Sequence, residues 1–236
     1  MKLQKETSQE AGTRSGRGHG KWYDDACGTA FALELVGERW SLLIVRELMF
    51  GPRRFTDLRG GLPSISAKVL AERLDGLEAG GIVQRRQLPP PAASQVYELT
   101  EWGYMADTAI MELGRWAARS PRHDPTLPLS AASLMLSFRT MFDPALAADL
   151  DLLGQFRIAG EDFAVTVRGA ALTVVRGTAD GSDFALSAPV ASVIAGAVYG
   201  KVPLGELAEA GLALAGDEAA AHRFIDLFHL PPKVEG

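Results

Sequence analysis

Ser64, Ser66 and Lys68 place two hydroxyls and an ammonium just before and inside a segment whose apolar residues recur at helical spacing. At the first turn of a helix, such groups donate to phosphate oxygens and to base edges in a major groove. Ala67 and Ala71 fall on the same side, where small side chains let a backbone come close and an alanine methyl meets a thymine methyl. Arg53 and Arg54 precede the helix before it, and Arg85 and Arg86 follow on a strand; all four carry guanidiniums suited to phosphate. Neighbouring strand residues point to opposite faces, so at most one of Arg85 and Arg86 faces a duplex directly. Each assignment has a structural alternative. Ser64 and Ser66 are also helix-capping residues, and Arg53 and Arg54 also suit a solvated turn. Arg73 falls among the leucines of its helix and suits a carboxylate or carbonyl partner better than a phosphate.

These residues need elements to hold them. Ala30, Leu33, Leu35 and Val36, then Trp40, Leu42, Leu43, Val45 and Leu48, read as two helices meeting at Gly37-Glu38-Arg39. Gly51-Pro52 stops the second. A third helix covers Phe55 to Arg59. A fourth opens at Ser64-Ile65-Ser66 and ends at Gly80-Gly81, with Val69, Leu70, Leu74 and Leu77 on its core face. The residues from 82 to 88 and from 95 to 99 read as two strands, separated by a proline-rich loop that cannot join a ladder. Thr100 caps a long helix reaching about Arg119. Helix, helix, recognition helix, hairpin, helix is the order of a winged helix-turn-helix.

The residues carrying that order also resemble a family. Cys27 lies thirteen positions before Trp40, followed by Gly37-x-Arg39-Trp40-Ser41-Leu42-Leu43-Ile44-x-Arg46-Glu47-Leu48. Then come Gly51-Pro52-Arg53-Arg54-Phe55-x-x-Leu58, Ile65-Ser66-x-Lys68-x-Leu70-x-x-Arg73-Leu74, and Tyr97-x-Leu99-Thr100-x-x-Gly103. Over residues 26 to 120 the chain resembles the HxlR family of bacterial transcriptional regulators. Gly28 departs from the pattern, which commonly has a proline there. The resemblance implies a sequence-specific DNA-binding regulator in the cytoplasm. It also implies a homodimer formed through the first and last helices of the module. Some family members carry a redox-sensing cysteine at the place of Cys27. A thiol at a helix N-terminus can have a lowered pKa; the alternative, a quiet and partly buried small hydrophobe, is the preferred reading here.

Charge divides along the chain. The whole carries 24 Lys+Arg against 29 Asp+Glu. Residues 1 to 124 hold 17 basic and 16 acidic side chains, whereas 125 to 236 hold 7 and 13, so the acid is concentrated in the second half. Between Arg39 and Arg86 nine basic residues face five acidic ones, a mild patch that favours binding as a dimer. Trp102, Ala106, Ala109, Leu113 and Trp116 form an apolar stripe suited to a dimer surface or to packing within the chain. The single cysteine fits a reducing compartment.

Residues 1 to 24 read as a disordered arm, 25 to 120 as the winged-helix domain, 121 to 128 as a proline-rich linker, and 129 to 231 as a second domain. In the second domain a helix from Leu129 to Phe142 precedes four strands, a helix from Pro189 to Tyr199, a short helix from Leu204 to Glu209, a last strand, and a closing helix from Asp217 to Phe228. The overall class is α+β, with a mostly antiparallel sheet in the second domain. Phe163-x-Val165-x-Val167-x-Gly169-x-x-Leu172-x-Val174, Asp183-Phe184-x-Leu186 and Gly205-x-Leu207-x-x-x-Gly211-Leu212-x-Leu214-x-Gly216-Asp217 resemble the sterol carrier protein fold. That resemblance implies an apolar small-molecule ligand between sheet and helices, lined by Phe163, Phe184, Val193, Ile194, Leu204 and Phe224; the same residues would equally fill a core. No nucleophile elbow, phosphate loop, dinucleotide fingerprint or metal-spaced His and Cys cluster is legible, so no catalysis, cofactor or metal is expected. No stretch is long and apolar enough to span a bilayer.

Overall fold

The computed structural model describes residues 23–90 and 93–235; the expected arm at 1–24 falls almost wholly outside the described residues. The amino-terminal half contains α1 (Gly28–Val36), α2 (Ser41–Leu48), α3 (Phe55–Gly61) and α4 (Ala67–Ala79), then the hairpin β1 (Val83–Gln87) and β2 (Gln95–Leu99). Leu70, Leu74 and Leu77 of α4 are buried against Ile44, Val45 and Leu48 of α2, as the helical spacing dictates. Beyond the hairpin the expected single helix is two: α5 (Glu101–Tyr104) and α6 (Asp107–Ala118). At the junction the amides of Met105 and Ala106 donate to Trp102 and Gly103, three residues back rather than four. Gly103 itself packs so close to strand-end backbone that an added Cβ would stand 2.2 Å from the Ile82 carbonyl oxygen.

The carboxy-terminal half begins with α7 (Ala131–Met141) and a 3-10 turn (Pro144–Ala147). A five-stranded sheet follows from β3 (Asp151–Ile158), β4 (Glu161–Arg168), β5 (Ala171–Arg176), β6 (Phe184–Ala188) and β7 (Ala213–Gly216), in the order β5-β4-β3-β6-β7. Only the central β3–β6 pair is parallel. Alternation decides the buried face: Leu152, Phe156 and Ile158, Phe163, Val165 and Val167, and Phe184 and Leu186 all point inward. Helices α7, α8 (Ala191–Val198) and α9 (Glu218–Ile225) lie against the sheet. The expected helix at 204–209 is instead a succession of tight turns, whose amides mostly reach back three residues (Leu207 to Leu204, Ala208 to Gly205).

The two halves share one continuous apolar core. Phe50 meets Phe163 edge-on at 5.9 Å between ring centres. Arg53 donates from Nη1 and Nη2 to both oxygens of Glu161, at 2.6 and 3.0 Å, and Arg176 donates from Nη1 to the same carboxylate. The Ser130 hydroxyl, which caps α7, donates to the buried Glu47 of α2 at 2.6 Å. Arg139 of α7 forks onto Asp107 of α6. At the far end Lys233 donates to the Ala118 carbonyl, and the Val234 amide to that of Arg119.

Glu161→Gln removes the charge that two guanidiniums share and leaves Arg53 buried without a counter-ion. It should destabilise the chain by about 3 kcal/mol, the scale for breaking a buried ion pair. A urea midpoint within error of the wild type would show that the carboxylate is dispensable.

Candidate nucleic-acid interface

The first turn of α4 is exposed along Ser66, Ala67 and Lys68. Ser66 is its N-cap: its Oγ accepts from the Val69 amide at 3.2 Å. Ser64, two residues earlier, is exposed and turns the chain with φ +77°. Ser66, Ala67 and Lys68 are exposed, and Ala71 is half-buried on the next turn. The Lys68 side chain is 85 % exposed, with Glu72 at 3.9 Å as its nearest ion partner. Ser66 therefore has the capping role, and its exposure leaves a lone pair and the hydroxyl proton free for an outside partner.

The arginines divide differently from the sequence expectation. Arg53, expected at phosphate, is only 6 % exposed and locked onto Glu161; its second partner is the Asp57 carbonyl at 3.2 Å. That is a correction: the acid that claims this guanidinium lies 108 residues away, so local sequence gives no sign of it. Arg54 stays exposed, with Nε donating to the Ser94 hydroxyl at 3.0 Å. Arg85 is held by Asp75 and Glu78 of α4 and lies 5.6 Å over the Tyr97 ring. Arg86 pairs with Glu98 across the hairpin. Both strand arginines are thus partnered within the module. Arg73, read as structural, donates to the Arg39 carbonyl and pairs with Glu38.

Helix α1 buries none of its residues, although its composition is apolar. Phe31 and Leu33 are exposed, as are Trp102 on α5, Met105 at the junction, and Leu113 and Trp116 on α6; Met105 and Trp116 are each 74 % exposed. Cys27 occupies the N-cap position of α1 and is exposed, not partly buried as preferred above. The Thr29 amide, then the Ala30 amide and the Thr29 hydroxyl, hold its thiol below the ordinary range.

The six residues expected to line an apolar pocket form packed core instead. Phe163, Phe184, Ile194 and Phe224 have no exposed surface, Leu204 is buried and Val193 half-buried. Phe224 contacts the rings of Phe138, Phe156, Phe184 and Phe228 at 4.8–5.5 Å, the spacing of filled aromatic packing. A cleft of about 890 Å³ opens elsewhere, between the two halves of the chain, and includes none of the six. Among the described residues no cluster of three or more His, Cys, Asp or Glu could hold a metal ion. None of their helices is long and apolar enough to cross a membrane.

Comparison with known proteins bears on the helical half. The family model for an HxlR-like helix-turn-helix matches residues 35–124. The HTH-type transcriptional regulator YodB of Bacillus subtilis is 43 % identical over 86 residues, which are 36 % of this chain and 77 % of that protein. The uncharacterized HTH-type transcriptional regulator YvaP of the same organism is 36 % identical over 86 residues, or 36 % of this chain and 80 % of its own. The solved structure of reduced YodB from B. subtilis aligns with 42 % of this chain and 98 % of its own, at 39 % identity and a TM-score of 0.38. With α4 presented as a capped, open helix ahead of a two-stranded wing, and with this identity spanning most of a relative, the chain belongs to the HxlR-like helix-turn-helix family.

Proposed function

We infer that this chain is a DNA-binding transcriptional regulator, that it acts as a dimer, and that α4 is the helix entering the major groove. The observation that carries the reading is the exposed first turn of α4, with Lys68, Ser66, Ala67 and Ser64 facing outward together. A recognition helix meets base edges through its N-terminal residues. The related YodB and YvaP, both named HTH-type transcriptional regulators, support the same role. Arg54 is a guanidinium placed to add a phosphate contact, because it is exposed and, among the described residues, bound by a serine hydroxyl. The division of the chain at residues 121–128 and the likeness of the second domain to the sterol carrier fold belong to the same proposal. A ligand within that domain's aromatic core would require the packed rings to separate.

The dimer reading rests on α1, α5 and α6. Two exposed tryptophans and the apolar α1 are costly to leave in water. A twofold partner covering both would set two copies of α4 toward successive half-sites. A second reading, oxidant sensing through Cys27, is favoured by the exposure of that thiol and its lowered pKa.

Three measurements test these readings. In gel-shift titrations on the region upstream of its own gene, Lys68→Ala should weaken binding and lower the salt slope by about one, and Ser66→Ala should weaken it further through the lost cap. Equal and poor binding by wild type and both variants would sink the regulator reading. Trp116→Asp should shift sedimentation from dimer to monomer; an unchanged dimer would place the interface elsewhere. Cys27→Ser should abolish any oxidant effect on DNA affinity, and an effect that survives would remove the thiol from the mechanism.

A further inference from the structure

The cleft between the helical module and the sheet domain has the size of a small-molecule site, roughly 300–1,000 Å³. Its walls carry an uncompleted set of polar groups. Arg176 gives Nη1 to Glu161, while its Nε and Nη2 are buried with no acceptor among the described residues. Those two nitrogens form the edge with which a guanidinium grips a carboxylate side-on. The guanidinium carbon lies 4.6 Å over the centre of the Phe163 ring. Glu161 is shared by Arg53 and Arg176, and the buried Glu47 charge also acts on Arg176 without donating or accepting a hydrogen bond there.

The first turns of two helices open on the same space: α7 through Ser130, Ala131 and Ser133, and α8 through Val190 and Ala191. Val190, at the N-cap of α8, supplies no side-chain cap. Both helix ends favour negative charge. The two acids that also line the cleft are occupied. Asp57 receives the Arg54 amide at the start of α3, and Asp162 is forked by Arg157 at 2.8 and 3.0 Å.

Glu47 limits what can enter. It is fully buried behind Gly61, where an added Cβ would come within 2.6 Å of its Oε2. Oε1 accepts from Arg46 and Ser130, and Oε2 has no donor among the described residues. A second negative group on a ligand would be repelled at this end. Trp40, Leu43, Pro63, Pro128 and Leu129 form the apolar part of the lining, beside Arg46 and Thr56.

We propose that this cleft binds a small organic monocarboxylate with an apolar body. Beneath the α7 and α8 termini the carboxylate engages the Arg176 guanidinium, whose buried Nε–Nη2 edge, unpartnered among the described residues, turns toward the cleft to receive it, and the body lies against Trp40 and the prolines. Gly60 to Pro63 line the cleft and lead directly into Ser64 and α4. An occupant therefore biases the setting of α4 to the extent that it binds one arrangement of the two halves better. This consequence, unlike the site itself, rests on α4 reading DNA.

The site is tested by calorimetry on the full chain without DNA, with phenylacetate as probe and phenylacetamide as its neutral counterpart. Phenylacetate should bind once per chain and about tenfold or more tighter than the amide, the factor for charge-assisted hydrogen bonds. Arg176→Met should weaken phenylacetate by about tenfold or more on the same grounds. Val190→Trp, which fills the mouth from an exposed position and leaves every charge in place, should also abolish binding and covers the case in which Arg176→Met misfolds. No binding, equal affinity for acid and amide, or full binding by Val190→Trp would overturn the proposal. In gel shifts, saturating phenylacetate should change DNA affinity several-fold. Unchanged affinity alongside confirmed binding would overturn the coupling, and a chain that binds no DNA under any condition would instead remove the regulator reading.

Discussion

The Glu161 carboxylate sits at the start of β4 and accepts from Arg53 of the helical module and Arg176 of β5 at once. Desolvation of Arg53 would be prohibitive without it, since a buried cation needs a partner and satisfied donors. Around this contact the halves close. Phe50 reaches Phe163, Ser130 reaches Glu47, and the β3–β4 turn and the α3–α4 connection line the same cleft. Burial of the cluster lowers the pKa of Arg176, with the nearby Arg53 charge acting in the same direction. The arrangement joins the acidic half of the chain to the mildly basic one through charges withdrawn from both surfaces.

That withdrawal shapes the remaining interface. With Arg53 on Glu161, Arg73 on Glu38 and Arg39, Arg85 on Asp75 and Glu78, and Arg86 on Glu98, four of the module's guanidiniums are committed internally. Lys68 and Arg54 remain outward beside small residues and hydroxyls. Such a surface releases few counterions per module. Specificity then depends on fit of the α4 terminus and on doubling through a partner, for which the unburied α1 and the tryptophans of α5 and α6 are suited.

The sheet domain contributes rigidity on one side and an opening on the other. Six phenylalanines from α7, β3, β6, α9 and the segments that follow α7 and α9 pack ring against ring, leaving the interior filled. The buried polar groups without partners among the described residues, Glu47 Oε2 and the Nε–Nη2 edge of Arg176, lie instead where the two halves meet. Clefts with a few convergent polar groups form preferentially where such units meet.

By itself the sequence determined the local elements and the helical family. Period 3.6 with Gly and Pro stops set α1 to α4, Ser66 capped α4, and period 2 chose the buried faces of β3, β4 and β6, because these signals are carried by residues close in sequence. It also marked Arg73 as structural, from its place among leucines. Tertiary structure decided what depends on distant partners: that Arg53 serves Glu161 rather than a phosphate, that Cys27 is exposed, that the aromatic residues fill a core, and that the open cleft lies between domains. It also broke the helix after Thr100 into α5 and α6 at Met105–Ala106. A side chain's type states which partners it could satisfy; only the packed chain brings one of them within hydrogen-bonding distance and removes the water that would otherwise compete.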